Sequence, residues 1–167
     1  ANEEEPAYGL ISQYGNLTLK DIENEIKGMA QQQLLSPNSP IKIAFKDEQQ
    51  GNFLSNEWQY SINEVSIGFK DSLLAWQEIN YGGRILTGVS TGLNYVTLLT
   101  LLNEIQTNYN IEFTKEDNVD SYIQGIRIPY AYFDSGNLWE VLDKICKTGQ
   151  LRLWQDKYGR YVIGLRR

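Results

Sequence analysis

The sequence predicts an α+β fold in two units: a β-rich, barrel-like unit with one helix over residues 1–90, then a small α-β-β-α-β-β unit over residues 91–167 with two helices on one sheet face. Three observations predict it. In the first half, Ile41, Ile43 and Phe45 alternate with Lys42, Ala44 and Lys46, the two-residue period of a strand. In the second half, Leu98, Leu102, Ile105, Ile111 and Phe113 recur forty positions later as Leu138, Leu142, Ile145, Leu151 and Leu153. Charge divides near the same place, with 12 acidic and 6 basic residues over 1–92 and 9 of each over 93–167.

Taken in order, the acidic stretch from Asn2 to Pro6 reads as a tail. Tyr8 to Leu19 is rich in Tyr, Ile, Leu and Thr and predicts a strand interrupted at Tyr14-Gly15-Asn16. Asp21 stands as an N-cap for a helix carrying Ile22, Ile26, Met29 and Ala30, which Pro37 and Pro40 end. Strands follow at Ile41–Lys46, Asn52–Ile62 and Val65–Phe69, with Asn63-Glu64 as a hairpin turn. Ser72 to Trp76 predicts a short helical turn before Ile79-Asn80-Tyr81. Four glycines between Gly82 and Gly92 mark a connector or a bent strand.

The repeat organises the second unit. In each copy the first three apolar residues fall at i, i+4 and i+7, one face of a helix, and the last two alternate as in a strand. Asp134 or Ser135 is placed to cap the second helix, and Gly149 to end it. Between the copies, Tyr122 to Phe133 reads as extended chain. Asp156-Lys157-Tyr158-Gly159 turns the chain into a closing strand, Arg160 to Leu165.

Composition removes whole classes of function. Among the 167 residues there is no histidine, which excludes Ser-His and Cys-His nucleophile pairs and nearly all zinc sites. Cys146 is the single cysteine and follows Ile145 in an apolar stripe, so no internal disulfide forms and a buried, inert thiol is expected. A net charge of −6 gives no overall positive field to displace phosphate counterions, so no nucleic acid partner is expected. No apolar run approaches the roughly 20 residues that span a bilayer. No basic flank followed by an apolar stretch opens the chain, so no signal peptide is expected.

The remaining motifs are sparse. Glu116-Asp117 with Asp120, and Glu3-Glu4-Glu5, are the carboxylate clusters. Both sit in polar stretches without the apolar wall that raises a catalytic carboxyl, and Lys115–Asp120 lacks the glycine of an EF-hand loop. The glycines of 82–92 match neither a P-loop nor a dinucleotide fingerprint. No catalytic, cofactor-binding or metal-ligating residue is therefore assigned. The surplus is aromatic: 4 Trp, 11 Tyr and 5 Phe. Trp58 with Tyr60, and Tyr130 with Tyr132, each set two rings on one face of a strand. They are the candidate interface residues, against the alternatives of ordinary core and sheet surface or of a sugar-stacking platform. Arg152, Arg160, Arg166 and Arg167 crowd the last hairpin, as a basic patch or as a solvated edge that discourages strand pairing.

Certain motifs carry a family resemblance. Tyr8-Gly9-Leu10-Ile11-Ser12-Gln13-Tyr14-Gly15-Asn16-Leu17, followed by Lys20-Asp21, resembles a segment of bacteriophage tail hub and baseplate proteins. So does Ser72-Leu73-Leu74-Ala75-Trp76-Gln77-Glu78-Ile79 after the Val65 to Asp71 strand. Leu138-Trp139-Glu140-Val141-Leu142-Asp143-Lys144-Ile145, with the closing Asp156-Lys157-Tyr158-Gly159-Arg160 hairpin, is similar to the α/β insert of those proteins. The resemblance covers residues 8 to 165 through loose patterns. It implies a non-enzymatic virion component, from phage or prophage, assembled in the bacterial host cytoplasm and located in the tail. Its partners would be other tail proteins, with a homotrimer in the full-length protein. Whole hub proteins are longer, so the resemblance also implies a fragment. The helix, strand, strand, helix, strand order is similar as well to small periplasmic docking domains of secretins and outer-membrane receptors, which lack a counterpart of the acidic β-rich unit.

Overall fold

A computed structural model describes residues 8–20, 39–61, 63–82, 84–87, 94–133 and 136–165. The fold is α+β and includes a curled half-barrel sheet. By internal contacts the chain groups into two compact units: residues 12–74 with 156–159, and residues 1–11 with 75–155 and 160–167. The expected helix after Asp21, the Glu3–Glu5 cluster and most of the glycine connector lie outside the described residues, as do Asp134 and Ser135.

The unit built on residues 12–74 is the half-barrel. Its strands are β2 (Tyr14–Lys20), β3 (Pro40–Phe45), β4 (Glu48–Ser61) and β5 (Glu64–Lys70), all antiparallel in the order β2-β5-β4-β3. Two tight hairpins set the register. Lys46 and Asp47 both hold positive φ between the paired Phe45 and Glu48, and Asn63 holds positive φ between β4 and β5. Positive φ at the turn matches the right-handed twist of the flanking strands.

β4 is long because it is bulged twice. One residue of β4, Gln50, lies between Gly51 and Gln49, whereas their partners Ile43 and Ala44 are adjacent in β3. Three residues lead from Ser55 to Trp58 while their partners Phe69 and Ile67 are two apart. Each extra residue bends the strand and sharpens its twist, and so the sheet curls. The second bulge also resets the side-chain period, so Phe53, Ser55, Trp58 and Tyr60 all share the face of Val65, Ile67 and Phe69. Phe53 and Phe69 meet there as a tilted pair with ring centroids 4.8 Å apart. Fully buried Ser55 accepts a hydrogen bond at Oγ from the Ser39 amide (3.0 Å) and donates its own amide to Ser39 O (2.8 Å).

The other unit opens with β1 (Gly9–Ile11), so the Tyr8–Leu19 segment is two strands in two sheets, broken at Ser12-Gln13, with Tyr14-Gly15-Asn16 inside β2. The chain then passes through helix α1 (Ser72–Ala75) and a 3-10 turn (Trp76–Glu78). The elements that follow are β6 (Asn80–Tyr81), β7 (Arg84–Thr87), β8 (Val96–Thr97), α2 (Leu98–Tyr109), β9 (Phe113–Lys115), α3 (Val119–Gly125), β10 (Arg127–Ile128), β11 (Tyr130–Phe133), β12 (Gly136–Asn137), α4 (Leu138–Thr148), β13 (Leu151–Gln155) and β14 (Tyr161–Leu165). The expected α-β-β-α-β-β order is thereby corrected. Val119 and Ile123, one helical turn apart and both buried, make α3 where extended chain was expected from Tyr122.

The forty-residue repeat is structural. Leu98, Leu102 and Ile105 in α2 are buried, and so are Leu138, Leu142 and Ile145 in α4. The helices are capped forty residues apart too: Thr97 Oγ1 accepts from the Thr100 amide (3.2 Å) and Asn137 Oδ1 from the Glu140 amide (2.9 Å). Asn137, not Asp134 or Ser135, is thus the N-cap. At the far end of α4 the left-handed conformation falls on Gln150, whereas Gly149 has negative φ. Gly149 is required by space, because a methyl there would strike Leu98 and the Leu151 side chain.

The two halves of the repeat cross-pair. β6 pairs with β12, β7 with β11 and β8 with β10, all antiparallel, and these three two-stranded pairings together make a ribbon of strand pairs between the halves. The first amide of α2 donates to Ile126 O (3.1 Å) and that of α4 to Ile79 O (2.9 Å). Each helix is thus anchored by the strand that leads into the other half. The remaining sheet, β1-β13-β14-β9, is parallel at both edges and antiparallel in the centre. α4 lies on β1 and β13, while α2 packs on α3 and α4. Leu151, Leu153 and Ile163 are fully buried in the sheet. Trp76 is core: its ring meets Tyr161 at 4.8 Å and Phe113 edge-on at 6.4 Å.

Candidate interaction surfaces

The half-barrel face carries two rows across three strands, Leu17-Ile67-Trp58 and Leu19-Val65-Tyr60. Opposed residues in antiparallel strands project to one face. Val65 and Ile67 at the centre are buried, whereas Leu17 and Tyr60 at the flanks are 37% and 36% exposed. The structure therefore brings Trp58 and Tyr60 onto one surface, with Trp58 half-buried. Its indole Nε1 is buried without a hydrogen-bond partner, an arrangement that costs about 1–3 kcal/mol where it occurs. Tyr130 and Tyr132 belong to the other unit and are placed through their backbone in β11, opposite Thr87 and Ile85. The reverse face of the half-barrel is polar, with Lys20 opposite Glu64 and Thr18 Oγ1 3.2 Å from Ser66 Oγ.

Three exposed rings, Tyr14, Tyr122 and Tyr158, were not among the candidate interface residues. Tyr14 is 78% exposed at the start of β2, and Tyr158 is exposed in the last turn beneath the Lys157 ammonium, 5.3 Å from its centroid. Lys157 also pairs with Glu48 at 3.0 Å, and Gln49 Nε2 donates to Lys157 O (2.9 Å). The Glu48 hydrogen bond is the main reason the Lys157 ammonium is held above its ordinary pKa. Only the position of Tyr158 in a turn could have signalled its exposure.

Among the described residues the acids of the 116–120 cluster have separate surroundings. Asp120 pairs with Lys115 at 2.7 Å, Glu116 lies against Gly164, and Asp117 is exposed. Burial, with Asp143 adding to it, pushes the Cys146 thiol up to about 12, so the expected inert thiol is found. Asp71, which no motif singled out, is nearly fully buried and burial raises its carboxyl to about 6. It is held by backbone: Oδ2 accepts from the Gln13 amide (2.7 Å), Oδ1 from the Leu74 amide (3.4 Å), and its own amide donates to Gln13 O (2.9 Å). That set of bonds caps α1 and closes the root of β2 against β5. Of the arginine cluster, Arg152 lies over Trp154 at 6.0 Å and Arg160 is exposed, while Arg166 and Arg167 lie outside the described residues. Among the described residues no three metal-ligating side chains come together, and no helix is long and apolar enough to cross a membrane.

One depression opens on the unit that contains the ribbon. It measures about 540 Å³ and is lined by Gln77, Asn80, Tyr81, Gly82, Gly136, Asn137 and Glu140. The β6-β12 pairing brings its two lining segments together, and Tyr81 is stacked on Tyr109, with centroids 5.8 Å apart.

No protein-family model matches the sequence, and no curated protein matches it. Among solved structures the chain is similar to the 43 kDa tail protein of prophage MuSo2 from Shewanella oneidensis, with a TM-score of 0.50 and 14% sequence identity. The match covers 93% of this chain and 47% of that one, so the chain spans about half the length of its structural neighbour. At that identity the likeness is one of fold.

Proposed function

We propose that this chain is a structural, non-catalytic component of a phage or prophage tail, placed at the hub or baseplate and working through contacts with other tail proteins. The observation that carries the reading is the fold shared over 93% of the chain with a prophage tail protein. The absence of histidine, the inert Cys146 and the divergence of Glu116, Asp117 and Asp120 support a role in shape rather than turnover. The Leu17, Trp58 and Tyr60 face of the half-barrel is a surface through which we expect partners to be held, and Tyr130 and Tyr132 of the other unit are separate candidates. Aromatic residues of this kind carry much of the energy at protein interfaces.

The test is to raise antibody against the chain and apply it to particles purified after induction of the source bacterium. Labelling of tails near the end opposite the head is expected, and a Trp58→Ala, Tyr60→Ala double variant should assemble less. Particles without the chain would end the reading.

A further inference from the structure

We infer that the depression between Gln77 and Glu140 is a binding site for a neutral, polyhydroxylated ligand, a hexose or N-acetylhexosamine unit. Its volume of about 540 Å³ falls within the few hundred to roughly 1,000 Å³ of small-ligand sites. The chemistry of the lining selects the class. Gln77, Asn80 and Asn137 present side-chain amides, which both donate and accept, and Glu140 presents acceptors. Vicinal hydroxyls, each a donor and an acceptor, match that set.

These groups are also uncommitted. The side chains of Gln77, Asn80 and Glu140 make no hydrogen bond or ion pair, and Asn137 uses only Oδ1, on the Glu140 amide, which leaves its Nδ2 to donate outward. Tyr81, buried and stacked on Tyr109, fixes that side of the lining. Gly82 and Gly136 keep the cup open: a methyl on Gly136 would sit 2.7 Å from a Glu140 carboxylate oxygen, and one on Gly82 would meet nothing. Among the described residues neither Lys nor Arg lines the cup and Glu140 is the one charge, a lining that favours a neutral ligand over phosphates and carboxylates. Among the described residues no aliphatic side chain lines it either, so a peptide finds no apolar anchor among them.

This site is independent of the tail reading, because sugar binding by the isolated chain requires no assembly. The experiment titrates the isotopically labelled full chain with glucose, galactose and N-acetylglucosamine while following the side-chain amide resonances of Gln77, Asn80 and Asn137. At least one sugar should shift all three saturably in the millimolar range. Asn80→Ala and Glu140→Ala should each weaken that binding by about tenfold, the loss of one or two neutral or charged hydrogen bonds. Gly82→Leu should abolish it with unchanged melting, since its side chain enters open space. If no sugar moves these resonances, or if the shifts survive all three variants, the assignment is wrong.

Discussion

Asp71 shows how a single side chain sets a pH response. Its ordinary value is 3.8, and burial lifts it to about 6 despite the backbone amides of Gln13, Leu73 and Leu74, which pull it down. The unfolded chain gives up this proton first. Between those two values the folded state therefore binds more protons, and each step up in pH costs stability. Unfolding free energy should fall by about 2 kcal/mol from this group between the unfolded and folded values, then stay flat. Urea titrations across that range should show the slope, and Asp71→Asn should flatten it. The signal was present in the sequence, since Asp71 precedes Ser72-Leu73-Leu74 as an N-cap would. Its burial was not, because that depends on Gln13, 58 positions away. Cys146 was legible for the opposite reason: its apolar neighbours lie within one helix.

At the scale of elements, the repeat was the most readable feature, because i, i+4 and i+7 spacing survives in any context that buries one helix face. The caps follow from it. Asn137→Ala should cost about 1 kcal/mol and Thr97→Ala the same or slightly less, given contacts of 2.9 and 3.2 Å. The effects should add in denaturant midpoints with an unchanged slope. Three elements hid from the sequence. α3 has only Val119 and Ile123 on its buried face, too few to outweigh the β-prone Tyr122 to Phe133 run. The bulges of β4 break the two-residue period that reveals a strand, at Gln50 and again at Asn56-Glu57. The bridges β6, β8 and β12 are two residues each and carry no period at all, whereas β10 falls in the run already read as extended.

Over the whole molecule, contacts distant in sequence dominate. Leu10 is buried opposite Leu153, and the Leu10 amide donates to Asp143 Oδ1 (3.1 Å). Gly9 is needed at this join, with positive φ and a Cβ that would collide with the Asp143 carboxylate. Deleting residues 1–11 should uncover the edge of β13. The melting temperature should fall, and size-exclusion chromatography should show self-association through the bared strand. Of the candidate surface, the sequence yielded the Trp58 and Tyr60 pair because i and i+2 share a strand face. It could not yield the cup, whose walls come from Gln77–Gly82 and Gly136–Glu140 and meet only through the ribbon.

That ribbon has one more consequence. Its strands clasp stretches from either side of residue 90, as β1 clasps β13. Pieces 1–90 and 91–167, made from separate genes in one cell, should therefore complement each other and co-purify as a reconstituted whole. A protease nick at that point should change the mass seen on a denaturing gel and leave the native particle's size as it was.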